Sequence, residues 1–240
     1  MDSKHRNYTF IYNNLYNNMT IRRSYFLSCL LGITLVITHP ASFAGVYTGF
    51  EADSDDKRLY FIGAQTNDPL FLNIFAGHLE YKFEENNSTV DVKSTFITPT
   101  IGYRFTIKEP LAFSIAAGVT REEKTEKRSN RDDKDTNTGA FVQIGASYWM
   151  ADKNYEFLAS YSEPTDFVWS RLRGKHRVHG RYFLGGEAFW MGNEDFDSAG
   201  AGALFEIRNE RVATTFKAGV SDTTTYDTGV YGGIEFSVPF

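Results

Sequence analysis

The chain has 240 residues, a net charge of −5 and 16% aromatic residues. The acidic balance argues against a nucleic-acid partner, which would require a basic surface. Cys29 is the single cysteine of the sequence, so a disulfide framework is excluded. After the N-terminal region, no stretch approaches the roughly 20 apolar residues of a membrane-spanning helix.

The N-terminal region predicts an export signal. Arg22 and Arg23 precede a short apolar run over residues 26–37, and a small-residue cleavage site ends at Ala44. This order of cations, apolar stretch and small residues is typical of a secretory signal peptide, and the apolar run is too short to span a bilayer.

The leader defines the mature chain. We expect a signal peptide over residues 19–44, starting at Met19, and interpret residues 1–18 as an upstream start-site extension. Cleavage after Ala44 removes four basic residues and one acidic residue. The mature part, residues 45–240, would then carry a net charge of −8 and no cysteine.

From residue 45 onward, apolar and polar residues alternate, with no convincing helical period. The last segment shows this most clearly: Phe236 and Val238 share one parity, whereas Glu235 and Ser237 share the other. Alternate side chains of a strand face opposite sides of a sheet, so one face suits lipid and the other suits a polar interior. We therefore predict an all-β fold, a single antiparallel up-and-down transmembrane β-barrel.

The turn residues divide the mature chain into twelve predicted strands, with ten as an alternative. The longer connections fall on one side, as expected of a barrel whose two termini lie at the periplasmic face. The longest, residues 122–137, is highly charged and is predicted to be a mobile outer loop. The predicted strands are 45–52, 58–65, 70–84, 88–107, 111–121, 138–150, 155–163, 167–178, 181–191, 199–207, 212–220 and 228–240.

In the fourth predicted strand the apolar parity changes. Val90 and Val92 are even-numbered, whereas Ile101 and Tyr103 are odd-numbered. One extra residue in a strand has this effect, so we predict a β-bulge near Pro99.

The C-terminus resembles the signal by which barrels are recognised for insertion. Gly233, Phe236 and Val238 are followed by the terminal Phe240. We therefore expect the barrel assembly machinery to be a partner through Phe240, and outer-membrane lipid to surround the strands.

The eighth predicted strand is basic on one face, with Arg171, Arg173, Lys175 and Arg177 on the same parity. Four cations facing lipid would each cost about 2–4 kcal/mol at the midplane, so they must face the interior or the aqueous rim. Two interpretations stay open: a basic wall for an anionic solute or sugar chain, and an internal ion-pair network. The second is favoured, and its candidate carboxylates are Glu80, Glu187, Glu206 and Glu235.

Residues that could support catalysis or bind a metal are few. The mature histidines are His78, His176 and His179, and neither a G-x-S-x-G nor an H-E-x-x-H motif occurs. The acidic loop 192–197 offers oxygen ligands suited to calcium, but its spacing fits no EF-hand. We expect no catalytic residues, no metal and no cofactor.

Residues 169–202 carry a family resemblance. Trp169-Ser170-Arg171-Leu172-Arg173, Gly185-Gly186-Glu187 and Gly192-Asn193-Glu194-Asp195-Phe196-Asp197 follow in order. This series resembles the W-S-R-x-R, G-P-E and G-N-E-x-Y-D pattern of the cellulose biosynthesis protein BcsS family, although Gly186 replaces the proline. The resemblance implies an exported outer-membrane β-protein linked to exopolysaccharide biosynthesis or secretion.

In that light we predict a non-enzymatic outer-membrane barrel with polysaccharide and a glycan synthase or export complex as partners. The alternatives are a small porin, an outer-membrane lipid hydrolase or acyltransferase, and an adhesin acting through residues 122–137. Sugars bind through aromatic faces and through hydrogen bonds from charged or amide side chains. The candidate glycan contacts are Trp169, Arg171, Arg173, Glu187, Trp190, Asn193, Asp195 and Asp197.

Overall fold

The computed structural model describes residues 45–54, 56–66, 69–85, 88–128, 131–194, 197–223 and 228–239. All of them belong to one compact unit, Ser42–Phe240. The predicted signal peptide and upstream extension, residues 1–44, and the terminal Phe240 lie outside the described residues.

The described residues form a closed barrel of twelve antiparallel strands in up-and-down order, as the sequence predicts. Each strand pairs with its neighbours in the chain, and β12 closes the barrel by pairing with β1, with Gly45 opposite Pro239. The strands are β1 (Gly45–Asp53), β2 (Arg58–Gln65), β3 (Leu70–Glu85), β4 (Ser88–Lys108), β5 (Leu111–Arg128), β6 (Arg131–Trp149), β7 (Lys153–Ser162), β8 (Phe167–His179), β9 (Tyr182–Gly192), β10 (Asp197–Arg208), β11 (Ala213–Thr223) and β12 (Gly229–Pro239).

The barrel has two distinct ends. We call the end that carries Gly45 and Pro239 the terminal end, and the opposite end, where β5 ends at Arg128 and β6 begins at Arg131, the distal end. Among the described connections, one at the distal end contains a 3-10 turn, Glu163–Thr165, between β7 and β8. No helix in the described part of the chain is long and apolar enough to cross a membrane.

A belt of apolar side chains covers the outside of the barrel. On β4 it extends from Ile97 to Ile107, both exposed. Ten residues at a rise of about 3.4 Å and a tilt of about 40° span about 26 Å, close to the apolar band of an outer-membrane barrel. Other exposed members of the belt are Ile115, Val119, Val142, Ile144, Leu172, Leu184, Phe216, Val220 and Phe236.

The β-bulge predicted near Pro99 is wrong. The pairing of β4 with β3 and with β5 keeps one register through this region, and the shift occurs instead between Thr106 and Lys108. The even residues of β4 face inward from the buried Val90 and Val92 as far as the shift after Thr106. The apolar residues change parity because β4 extends beyond the belt. Beyond the belt the outer face of β4 is polar, whereas its inner face packs against other strands.

The predicted mobile loop 122–137 is also wrong. β5 and β6 continue as a paired hairpin up to Arg128 opposite Arg131. Its inward charges bond one another, with Arg128 contacting Glu126 and Asp133, each at 2.8 Å. These ion pairs allow a charged sequence without apolar residues to form a regular ladder. The ends of the other ten strands lie within three residues of the predicted ones.

Candidate functional site in the barrel interior

The basic residues of β8 face the interior, as predicted. Arg173 is 5% exposed and Lys175 is buried, whereas Leu172, between Arg171 and Arg173, lies exposed on the outer belt. Strand alternation explains this placement, because the parity that puts Leu172 against lipid turns its neighbours inward.

Arg173 joins two sides of the barrel. Its Nε donates to Glu187 Oε2 on the adjacent β9 at 2.8 Å. Its two terminal nitrogens donate to the two carboxylate oxygens of Glu235 on β12, each at 2.6 Å. β8 and β12 are not neighbours, so this bidentate pair crosses the interior.

Further ion pairs extend this contact into a network. Lys217 on β11 bonds Glu51 at 2.7 Å and Glu235 at 2.8 Å. Arg171 bonds Glu156 on β7 at 2.8 Å. Lys175 pairs with Glu206, and Tyr231 donates its hydroxyl to Glu187 at 3.0 Å. The ion-pair interpretation is thus confirmed for three of the four predicted carboxylates, Glu187, Glu206 and Glu235.

Glu80 was wrongly assigned to this network. It lies on the outer face of β3, distal to the belt, where it pairs with Lys93 at 2.6 Å and with Arg58 at 3.6 Å. Its hydrogen bond with His78, followed by that from Lys93, holds the pKa of the Glu80 carboxyl at about 2. On the same surface, the hydrogen bond from Lys82 lowers the pKa of Asp56.

Two aromatic and apolar clusters fill other parts of the interior. Tyr47, Phe61, Phe75 and Phe96 lie ring to ring across β1 to β4. A second cluster fills the distal half, where buried residues of β3 and β4 pack against β9 and β12. Closely packed apolar side chains leave no room for water, so the distal cluster closes the part of the interior that it occupies. The distal cluster consists of Leu79, Tyr81, Phe83, Val90, Val92, Phe189, Met191 and Tyr231, with Leu59, Phe167 and Trp169 packed against it.

The predicted glycan contacts do not all converge. Arg171, Arg173 and Glu187 meet inside the barrel, and the Arg171 guanidinium lies 5.1 Å from the Trp169 ring centre. Trp190, by contrast, faces outward and is 42% exposed.

The remaining three predicted contacts belong to the connection between β9 and β10. Asn193 and Asp197 lie at the distal end, where Asp197 pairs with Gly192, and Asp195 lies outside the described residues. The structure therefore places one group of predicted contacts inside the barrel and the others at its outer face or distal rim. Glycan binding by the set stays a prediction.

Sequence reasoning missed three charged members of the interior network, Glu51, Glu156 and Lys217. Two of them lie on the parity opposite to exposed outward residues, Glu156 beside Phe157 and Lys217 beside Phe216. That parity marks them as inward-facing, but it does not show which charge each one meets across the barrel.

An outward-facing hydrogen-bond chain resembles part of a catalytic triad. His78 Nδ1 lies 2.8 Å from Thr95 Oγ1, and His78 Nε2 lies 3.5 Å from Glu80 Oε1. Hydrolysis also needs free donors for the developing oxyanion. β3 and β4 are each paired on both sides here, so their backbone N–H groups belong to the sheet. This geometry suits a structural histidine.

The other histidines give no catalytic arrangement in the described part of the barrel. His176 faces outward and contacts Tyr155, and His179 lies at the end of β8. Among the described residues, no group of three His, Cys, Asp or Glu side chains could hold a metal ion.

The fold belongs to the class of bacterial outer-membrane β-barrels. The transport unit of the autotransporter AIDA-I from Escherichia coli matches with a TM-score of 0.56 at 10% identity, covering 84% of this chain and 91% of that one. The translocator domain of autotransporter NalP from Neisseria meningitidis matches with a TM-score of 0.47 at 12% identity, covering 93% and 98%. A KdgM porin in complex with disordered oligogalacturonate gives 0.48 at 8%, covering 82% and 99%. At these identities the likeness concerns the fold alone.

Sequence comparison identifies the family to which the chain belongs. The family model described as "Cellulose biosynthesis protein BcsS" matches residues 40–240, which include all twelve strands. The chain belongs to this family, and the resemblance carried by β8 to β10 is confirmed. No curated protein matches the chain.

Proposed function

We propose that the chain is a non-enzymatic outer-membrane barrel that assists the biosynthesis or secretion of a cellulose-type exopolysaccharide. Family membership over residues 40–240 is the observation that carries this proposal. The apolar belt fits outer-membrane lipid. The terminal end would face the periplasm, because the long β5–β6 hairpin extends at the distal end and longer extensions of such barrels are extracellular. The partners would be the polysaccharide and a synthase or export complex, with insertion guided by the C-terminal strand and Phe240.

The filled interior supports an accessory role rather than that of a wide conduit. A twelve-stranded barrel is narrow, and inward side chains can occupy much of it. Here Arg173 and Glu235 bond across the lumen, and the distal cluster packs over part of it. A hydrated polymer passing through would have to separate buried ion pairs, and leaving one partner of such a pair uncompensated costs about 3–5 kcal/mol. We infer that the barrel acts beside the polymer's route.

The proposal is tested by an in-frame deletion of the gene with plasmid complementation. We expect loss or reduction of cellulase-sensitive surface polymer, restored by the wild-type chain recovered in the outer-membrane fraction. The matched control is the deletion strain carrying a plasmid-borne gene without the signal-peptide codons, and its surface polymer should not be restored. Unchanged polymer in the deletion strain would overturn the proposal.

Two further measurements address the alternatives. Purified protein in planar bilayers should show no steady single-channel conductance, whereas a porin would conduct. Purified wild-type protein and its His78→Ala variant should both show lipid hydrolysis no higher than that of the detergent blank. A conducting channel or a His78-dependent hydrolysis would replace the present proposal.

A further inference from the structure

One sector of the interior lacks large side chains. The aromatic cluster occupies the β1–β4 side, and the ion-pair network occupies the β8–β12 side. The wall between them, β5 to β7, presents mainly small or polar residues. Its inward residues at mid-height are Ser114, Gln143, Ser147, Glu156, Leu158 and Ser160.

These side chains border free space. The Glu156 side chain is 32% exposed although it points away from the outer belt and bonds Arg171 inside the barrel. Ser114, Gln143, Ser147 and Ser160 are all half-buried rather than buried. Ser147 is paired with Glu156, and Gln143 with Ser160, so the exposed polar groups lie side by side. We call this strip along β5 to β7 the polar groove.

The two ends of the polar groove differ. At its distal end Ser160 is paired with Trp169, which packs against the distal apolar cluster and closes the groove. At the terminal end the inward-facing residues Thr106 and Ser237 are exposed, so the interior opens there. A ligand would therefore enter from the terminal end and stop at Trp169.

Two polar groups near the groove lack partners. Asn154, two residues before Glu156 on β7, is 1% exposed, and neither its carbonyl oxygen nor its amide nitrogen has a hydrogen-bond partner among the described residues. In the same part of the barrel, the buried Nε of Arg171 has no acceptor within the described chain. Buried groups of this kind normally bind water or a ligand.

We propose that the polar groove is a binding site for an uncharged, hydroxyl-rich oligosaccharide of the glucan type that enters from the terminal end. Its hydroxyls, amides and one carboxylate offer both donors and acceptors, as sugar hydroxyls require. The Glu156 charge is compensated by Arg171, so the groove has no excess cation for an anionic polymer. Trp169 and Arg171, both predicted glycan contacts, form its closed end. The choice of a glucan rests on the proposed function.

The test uses the mature chain refolded in detergent and titrated with cellopentaose, followed by calorimetry and tryptophan fluorescence. A galacturonate pentamer of equal length serves as the anionic comparison. We expect saturable binding of cellopentaose that is at least tenfold tighter than that of the galacturonate.

Two variants place the site. Gln143→Leu removes an amide from the groove, and Ser147→Phe fills it, so each should weaken cellopentaose binding at least tenfold. The matched control is Gln65→Leu on β2, which removes an inward amide away from the groove and should stay within twofold of wild type. Heat-modifiable migration on gels shows that each variant is folded, and Gln143→Leu suffices if Ser147→Phe does not fold.

Any of three results would overturn the proposal that the polar groove binds a glucan. These are the absence of saturable binding, equal binding by Gln143→Leu and wild type, and tighter binding of the galacturonate. These outcomes leave the deletion experiment untouched, since that measures polymer in cells. Cellopentaose binding together with unchanged polymer in the deletion strain would support the groove and overturn the proposed function.

Discussion

Replacement of Arg173 by Met should destabilise the barrel strongly. The change removes three charge-assisted hydrogen bonds of 2.6–2.8 Å and leaves two carboxylates in a nearly dry interior. Removing one partner of a buried ion pair costs about 3–5 kcal/mol. Glu235 keeps Lys217, and Glu187 keeps the Tyr231 hydroxyl, so the lower part of that range applies. We expect the free energy of unfolding to fall by about 3 kcal/mol.

The assay is reversible urea unfolding of the mature chain in lipid vesicles, followed by tryptophan fluorescence. Arg177→Met is the matched control: Arg177 lies on the same face of β8, is exposed, and bonds the Ala151 carbonyl instead of a carboxylate. It should cost less than about 1 kcal/mol. Adding Glu187→Gln and Glu235→Gln to Arg173→Met should recover much of the loss, because the orphaned charges are removed. Equal stabilities of Arg173→Met and Arg177→Met would refute this reasoning.

Three other perturbations follow from the same geometry. Leu172→Arg puts a charge on the outer belt and should lower the free energy of unfolding in vesicles by about 2–4 kcal/mol; a loss below about 1 kcal/mol would contradict a lipid-facing position. Glu80→Gln should cost about 1 kcal/mol at pH 7. Because the pKa of Glu80 is depressed to about 2, that difference should shrink as the pH falls from 4.5 toward 2, and a pH-independent difference in thermal unfolding would argue against it. Replacing residues 125–134 by a two-residue turn should leave a heat-modifiable barrel with unchanged surface attachment, and lost attachment would favour an adhesin.

The sequence by itself determined the class of fold, the strand order and the direction of most side chains. A strand has a period of two, so Phe236 and Glu235 must point to opposite faces wherever the strand lies. The inward direction of Arg173 follows in the same way, from the cost of placing a cation in lipid. These are local properties, readable from neighbouring residues.

Only the tertiary structure decided where the bilayer belt ends and which side chains meet inside. Val90 and Val92 face the interior, but this can be recognised only from the folded barrel, in which the strands beyond the belt pack against β9 and β12. The pairs Arg173–Glu235 and Lys217–Glu51 join residues 62 and 166 positions apart. Alternation fixes the face of each residue, whereas closure of the barrel, with its strand tilt and stagger, sets the partner across the interior.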